Sequence, residues 1–271
     1  MHIRFWGVRG SIATPEKNKL KYGGNTTCFE INDDDGNILI FDAGSGIRKL
    51  GKELKENNDK KLNLFFSHYH WDHTQGLPFF APMFNPESEI IMHGAKRGNI
   101  GTKEALSGQL SRLYFPVPLD KMPAKKDFLD LKHGEIIEIG NNKIHSRNLN
   151  HPQGCLGYRI ENGDKVITIC TDTEHMPGKL SKDILTLAEN SDLFIYDCNY
   201  TTGEYLKGHQ GWGHSTAEEG IKLAKEANVK KFVLCHHDPD HIDDFLDKMV
   251  VDAKKQFPDS IGAMEGQTIE I

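Results

Sequence analysis

The segment Ser67-His68-Tyr69-His70-Trp71-Asp72-His73 follows directly on the apolar run Leu62–Phe66. A short apolar run closed by turn residues reads as a strand. That strand therefore ends in a turn carrying His-x-His-x-Asp-His, four ligand-capable side chains within six residues. Core packing does not ask for this density, because His and Asp are seldom buried without partners. Imidazole and carboxylate together suit Zn²⁺, Fe or Mn²⁺. No Cys lies in the cluster, which argues against a closed structural zinc site. One turn cannot close a two-ion centre, so the fold has to bring further ligands to it.

Three other side chains stand just past the end of an apolar strand. His151 follows the strand ending Asn148-Leu149-Asn150, Asp172 follows Val166–Thr171, and His236 follows Phe232-Val233-Leu234-Cys235. His237 is adjacent to His236, and neighbours on a strand point to opposite faces, so only one of the two can join a centre. His93, His133, His145, His175 and His209 have no such context and read as ordinary satisfied histidines.

The 271 residues suffice for one large α/β domain, with 37% hydrophobic and 27% charged residues, a balance that argues against disorder. Ile-, Val- and Phe-rich runs recur from His2–Trp6 to Lys231–Cys235 in two groups, each followed by helices. Ile47, Leu50 and Leu54 share one helical face, and Ile242, Phe245, Met249, Val250 and Ala253 form a last apolar stripe. Ser215-Thr-Ala-Glu218 reads as a capping box opening a helix. Periodicity supports α/β or α+β and no more. No repeat or linker divides the chain, so residues 1–271 read as a single domain. Residues 96–131, with Leu110, Leu113, Tyr114 and Phe115, read as an insertion serving as a lid, a dimer contact or packing across the sheet edge.

The five cysteines are odd in number, widely spaced and mostly inside apolar runs, which suits free thiols in a reducing compartment. No stretch approaches the eighteen apolar residues a membrane span needs, and the start lacks a signal-peptide layout. A cytoplasmic protein is expected. The formal net charge of −6 disfavours a grip on a long polyanion.

His68-x-His70-x-Asp72-His73, with His151, Asp172 and His236, resembles the metal motifs of the metallo-β-lactamase-fold hydrolases in order and context. Phe5-Trp6-Gly7, Phe41-Asp42-Ala43-Gly44 and Gly213-His214-Ser215-Thr216 resemble the branch of the tRNA 3′-end processing endonucleases and their phosphodiesterase relatives. Gly7-Val8-Arg9-Gly10-Ser11, Tyr22-Gly23-Gly24-Asn25-Thr26 and Gly211-Trp212-Gly213-His214 look like its cyclic-nucleotide phosphodiesterase members. The resemblance covers nearly the whole chain. It implies a four-layer αββα sandwich of two mixed sheets with helices outside. It also implies two divalent ions, Zn²⁺ first with Mn²⁺ or Fe²⁺ as alternatives. His68, His70 and His151 would bind one ion, Asp72, His73 and His236 the other, with Asp172 shared.

Two ions about 3.5–4 Å apart hold a bridging hydroxide and clamp a phosphoryl group, while the departing alkoxide needs a proton. By the resemblance, His214 is the expected acid, oriented by Asp197, which stands where those relatives carry Glu. Asp42 is expected to hold the ligand turn. Arg9, Ser11 and the Gly23–Thr26 turn are candidate phosphate contacts. Trp71 and Trp212 are candidate base-stacking rings, and Phe79 and Phe80 read as core. The expected activity is hydrolysis of small 3′,5′-cyclic nucleotides by a homodimer, with no membrane and no long nucleic acid as partner. The alternatives are a tRNA-processing endoribonuclease, or another hydrolase of this fold acting on a ribose cyclic phosphate or a lactone.

Overall fold

Several central strands of this chain are apolar on both faces, and such strands have to be covered on both sides. In β11 (Leu193–Asp197), Leu193 and Ile195 face one buried cluster while Phe194 and Tyr196 face another. In β3 (Ile38–Phe41), Leu39 and Phe41 point inward and Ile40 outward. The computed structural model, which describes residues 1–57 and 60–271, meets that demand with two mixed sheets face to face and helices outside.

The first sheet contains β1 (His2–Gly7), β2 (Cys28–Asn32), β3, β4 (Lys61–Phe65), β5 (Glu89–Ala95), β6 (Lys125–Leu131) and β14 (Thr268–Glu270), in the order β14-β1-β2-β3-β4-β5-β6. The second contains β7 (Ile136–Ile139), β8 (Asn142–Leu149), β9 (Cys155–Asn162), β10 (Lys165–Cys170), β11, β12 (Lys231–Cys235) and β13 (Ser260–Gly262), in the order β13-β12-β11-β10-β9-β8-β7. Each sheet has an antiparallel half and a parallel half, and the parallel pairs are β3–β4–β5–β6 and β10–β11–β12–β13. Between the sheets lie Phe29, Phe41, Phe65, Tyr158, Ile169 and Ile195. Helix α1 (Ile47–Asn57) covers the first sheet through Ile47, Leu50 and Leu54. Helices α4 (Lys182–Ala188), α6 (Ala217–Glu226) and α7 (Asp243–Gln256) cover the second. The short helices α2 (Trp71–Thr74), α3 (Thr102–Gln109) and α5 (Thr202–Glu204) lie in connections.

Several details depart from the sequence reading. The last part of residues 96–131 is β6, paired with β5 along its length, so those residues belong to the sheet. Its Lys- and Asp-rich sequence, with four of seven residues exposed, marks a charged edge strand and hides the strand signal. Strands β13 and β14 have three residues each, too few to show alternation. The cap of α6 is Thr216, which accepts from Glu219 N, while Ser215 is buried and accepts from the Tyr196 hydroxyl. In α7 the fully buried residues are Leu246, Met249 and Ala253, and Ile242 stands outside as the N-cap.

Candidate metal centre

The parallel halves of the two sheets aim the carboxyl ends of their strands at one edge, the place where α/β folds put their ligands. Asp42 follows β3, the 67–73 turn follows β4, Asp172 follows β10, and His236 follows β12. Asp42, Asp172 and His236 all take left-handed backbone conformations, with φ of 61°, 58° and 59°. Such strain in non-glycine residues gathers at functional sites. Gly10 is required here by space alone: a Cβ on it would lie 2.5 Å from the His236 ring.

Two ligand-type groups converge. His68, His70 and His151 form the first, and Asp72, His73, Asp172 and His236 the second. His151 Nε2 lies 3.2 Å from His70 Nδ1. His73 Nε2 is 3.2 Å from Asp72 Oδ2, 3.1 Å from Asp172 Oδ2 and 3.3 Å from His236 Nε2. Asp172 Oδ1 stands between the groups, 3.3 Å from His236 Nε2 and 3.9 Å from His68 Nε2. His236 belongs to the cluster. His237 instead packs its ring on Tyr22 and places Nε2 3.0 Å from Ala263 O, and burial pushes its pKa down to about 3.

The outer nitrogens explain the inner ones. His73 Nδ1 donates to Asp42 Oδ2 (2.8 Å), His151 Nδ1 to Gly213 O (2.8 Å), and His70 Nε2 to Gln153 Oε1 (3.0 Å). Each outer bond places the ring proton outside and turns a lone pair inward, the arrangement a metal-ligating histidine needs. His68 Nε2 and Asp172 Oδ2 are buried with no hydrogen-bond partner. Burial disfavours charge on His73, yet Asp172, Asp72 and Asp42 push its pKa well above the usual value, so the cluster attracts positive charge. The donor set of imidazoles and carboxylates fits divalent ions.

Asp42 is the brace of the ligand turn, since its carboxylate also accepts from Ser67 N and Ser67 Oγ, both at 2.8 Å. Asp197 lies within reach of the second group, but its oxygens are already engaged by Asp172 N (2.9 Å), Asn199 N (3.1 Å) and Ser215 N (3.2 Å). It also accepts from His214 Nδ1 at 2.9 Å. Burial works against the charged His214 ring, but Asp197 through charge and hydrogen bond, with Asp172 and Asp72 behind it, pushes its pKa up to about 9. Ser11, Tyr69, His70, Trp71, Asp72 and His214 line a pocket of about 450 Å³ over the cluster.

Other candidates fall elsewhere. Arg9 is fully buried and donates to the carbonyls of Gly23, Asp238 and His241. The Gly23–Thr26 turn has no amide to spare for a phosphate at its end: Asn25 N and Nδ2 donate to Glu265, and Thr26 N to Ser45 Oγ. Ser11 N donates to Asp72 Oδ2 at 2.8 Å and so orients a candidate ligand. Phe80 is core, whereas Phe79 is 58% exposed, as are Trp71 (79%) and Trp212 (60%).

Two groups carried no sequence signal. Glu174 accepts from Tyr205 Oη and Gly211 N at 2.7 Å each and from Gly213 N at 2.9 Å, fixing the loop that presents His214 and the carbonyl facing His151. A Cβ on Gly213 (φ +90°) would strike His151 Nδ1 at 2.3 Å. Tyr69 Oη donates to Ala95 O (3.0 Å) and sits 2.9 Å from Thr102 Oγ1, tying the ligand turn to β5 and α3. Their partners lie tens of residues away, beyond the reach of any local pattern.

The model of the β-lactamase superfamily domain matches residues 37–237. Over 320 aligned residues the chain is 22% identical to a Ribonuclease Z of Oceanobacillus iheyensis, covering all of both chains. Among solved structures it resembles the metallo-β-lactamase fold protein YhfI of Bacillus subtilis, with a TM-score of 0.73, 21% identity and coverage of 100% and 98%. It also resembles yeast PDE1, with a TM-score of 0.69, 14% identity and coverage of 100% and 99%. The relative named as a ribonuclease runs against the expectation that long nucleic acid is not a partner. Among the described residues, no helix is long and apolar enough to cross a membrane. The family match spans well over half of the chain, and the fold agrees along its full length: this protein belongs to the β-lactamase superfamily and has the metallo-β-lactamase fold.

Proposed function

We propose that the protein is a phosphodiesterase acting on small cyclic nucleotides of the 3′,5′-cyclic AMP or GMP type with two divalent ions, Zn²⁺ first among them. The observation that carries this reading is the His214–Asp197 pair beside the two ligand groups. A ribose alkoxide leaves poorly without a proton, and a ring held this way beside the ligand groups is placed to supply one.

His68, His70 and His151 would hold one ion, Asp72, His73 and His236 the other, and Asp172 both. When bound, the ions supply positive charge for the phosphoryl oxygens and lower the pKa of water toward about 7. The protein's own side chains do the rest. His214 gives Nδ1 to Asp197, which leaves Nε2 as the proton donor toward the pocket it lines. Asp197 holds that ring in one tautomer, and backbone N–H groups of Asp172, Thr173, Asn199 and Ser215 keep the carboxylate from turning away. Asp42 and Gly213 O do the same for His73 and His151.

The similarity to Ribonuclease Z supports a second reading, cleavage of a tRNA precursor. The net charge of −6 weighs against it, because long polyanions are held by basic surfaces. Offering cyclic AMP, cyclic GMP, bis(p-nitrophenyl) phosphate and a tRNA precursor to metal-loaded protein separates the readings. Higher kcat/KM on a cyclic nucleotide is expected, and preference for the tRNA precursor refutes the small-substrate reading. The homodimer expected from the resemblance belongs to this proposal, and sedimentation at micromolar concentration tests it.

A further inference from the structure

Beside the ligand turn lies a second cavity of about 620 Å³, within the range of small-ligand sites. Tyr69 and Trp71 line both it and the metal pocket, so the two adjoin. Its rim is aromatic and faces water: Trp71, Phe79 and Tyr114 are 79%, 58% and 75% exposed. Phe115 sets its ring edge-on against Phe79, with centroids 5.7 Å apart. Exposed apolar patches of this kind mark binding sites.

The floor is built from small residues. Ala105 and Gly108 line the cavity from α3, three residues apart and so on one helix face. A Cβ added at Gly108 would meet nothing within 4 Å. Space is held open where a helix would ordinarily place a large side chain. The walls also carry two amides. Gln75 Nε2 donates to Thr26 Oγ1 (3.0 Å) and Gln109 Nε2 to Thr74 O (3.1 Å). With the nitrogens engaged, each glutamine offers its Oε1, and among the described residues neither oxygen accepts a hydrogen bond.

We propose that this cavity is a nucleobase subsite, holding the planar ring of a nucleoside phosphodiester whose phosphorus sits at the adjoining centre. This rests on the phosphodiesterase reading. The ring stacks on the aromatic rim, where any base finds a π face, and its amino or imino hydrogens meet Gln75 or Gln109. An acyl chain would leave those acceptors unpaired, which a buried contact penalises. The segment read as an insertion in the sequence thereby acquires a task, because α3 and the 110–118 loop supply one side of the subsite.

The test titrates adenosine 5′-monophosphate and ribose 5-phosphate into the full chain carrying Trp212→Phe, with Trp71 fluorescence as the signal. Affinity for the nucleotide at least about tenfold above the sugar phosphate is expected from stacking of one base. Gly108→Leu, which fills the cavity from a helical backbone, should erase the difference, and Phe79→Ser is the second variant if thermal melting shows Gly108→Leu unfolded. Equal affinities in the parent, or an undiminished preference in the filled variant, overturns the subsite. A second arm compares thymidine 5′-p-nitrophenyl phosphate with methyl p-nitrophenyl phosphate on metal-loaded protein. The ratio of their kcat/KM values should fall about tenfold in Gly108→Leu. Turnover of both diesters without preference overturns the subsite alone. Nucleotide preference in binding with turnover of neither upholds the subsite and refutes the phosphodiesterase reading.

Discussion

The histidine–aspartate cluster and the aromatic cavity share Tyr69 and Trp71 but are built on opposite terms. Most side chains of the centre are buried, stand at the ends of central strands, and have an outer hydrogen bond that fixes the inner atom. Those of the cavity rim stand on a short helix, a 3₁₀ turn and a loop, and much of their surface meets water. Charge chemistry needs positions held to fractions of an ångström, and rigid sheets supply them. Recognition of a flat ring needs only apolar faces at roughly the right spacing, which loops supply.

The contrast can be broken at several points. The largest effect is expected from Asp172→Ala, which removes the carboxylate standing between both groups. Metal content by mass spectrometry should drop below two ions per chain, with phosphodiester turnover near background; two retained ions would disprove sharing. Next comes His214→Ala, which should slow a substrate with an alkoxide leaving group by about 10²- to 10⁴-fold, the usual worth of a placed acid. A p-nitrophenolate leaving group should suffer far less, and equal losses would remove His214 from the acid role. Asp42→Asn leaves every ligand in place but weakens the His73 brace, so metal affinity measured by competition with a chelator should fall about 10- to 100-fold. An unchanged affinity would show that the turn holds itself.

A stability pair gives the smallest effect and sharpens the comparison furthest. Phe65→Ala opens the core between the sheets and should cost about 3–5 kcal/mol in denaturant unfolding. Phe79→Ala, on the exposed rim, should stay within about 0.5 kcal/mol. A comparable loss at both positions would mean that the rim is structural.

The centre was legible because its residues break local rules. Four ligand-capable side chains in one turn, and lone carboxylates or imidazoles after apolar strands, have no packing explanation. The cavity was read in part: Trp71 was seen as exposed to substrate, but Phe79 was read as core, since periodicity cannot tell a covered aromatic from an uncovered one. Arg9 and the Gly23–Thr26 turn resembled phosphate contacts because glycine, arginine and small polar residues serve tight turns and anions alike. Arg9 Nη1 donates instead to Asp238 O and His241 O, and Asn25 Nδ2 to Glu265, far along the chain. The edge strand β6 was missed for the reason edge strands exist: its charges keep it from pairing with another sheet.

By itself, the sequence pointed to the candidate donor set and the strands that carry it, because ligand chemistry and alternating burial are local properties, whereas His214 and Asp197 were reached only through the family resemblance. Tertiary structure alone decided that His236 rather than His237 turns inward, that Glu174 clamps the loop before His214, and that Gly108 opens a cavity beside Trp71. Each of those outcomes depends on which distant backbone a side chain meets, and spacing along the chain does not encode that distance.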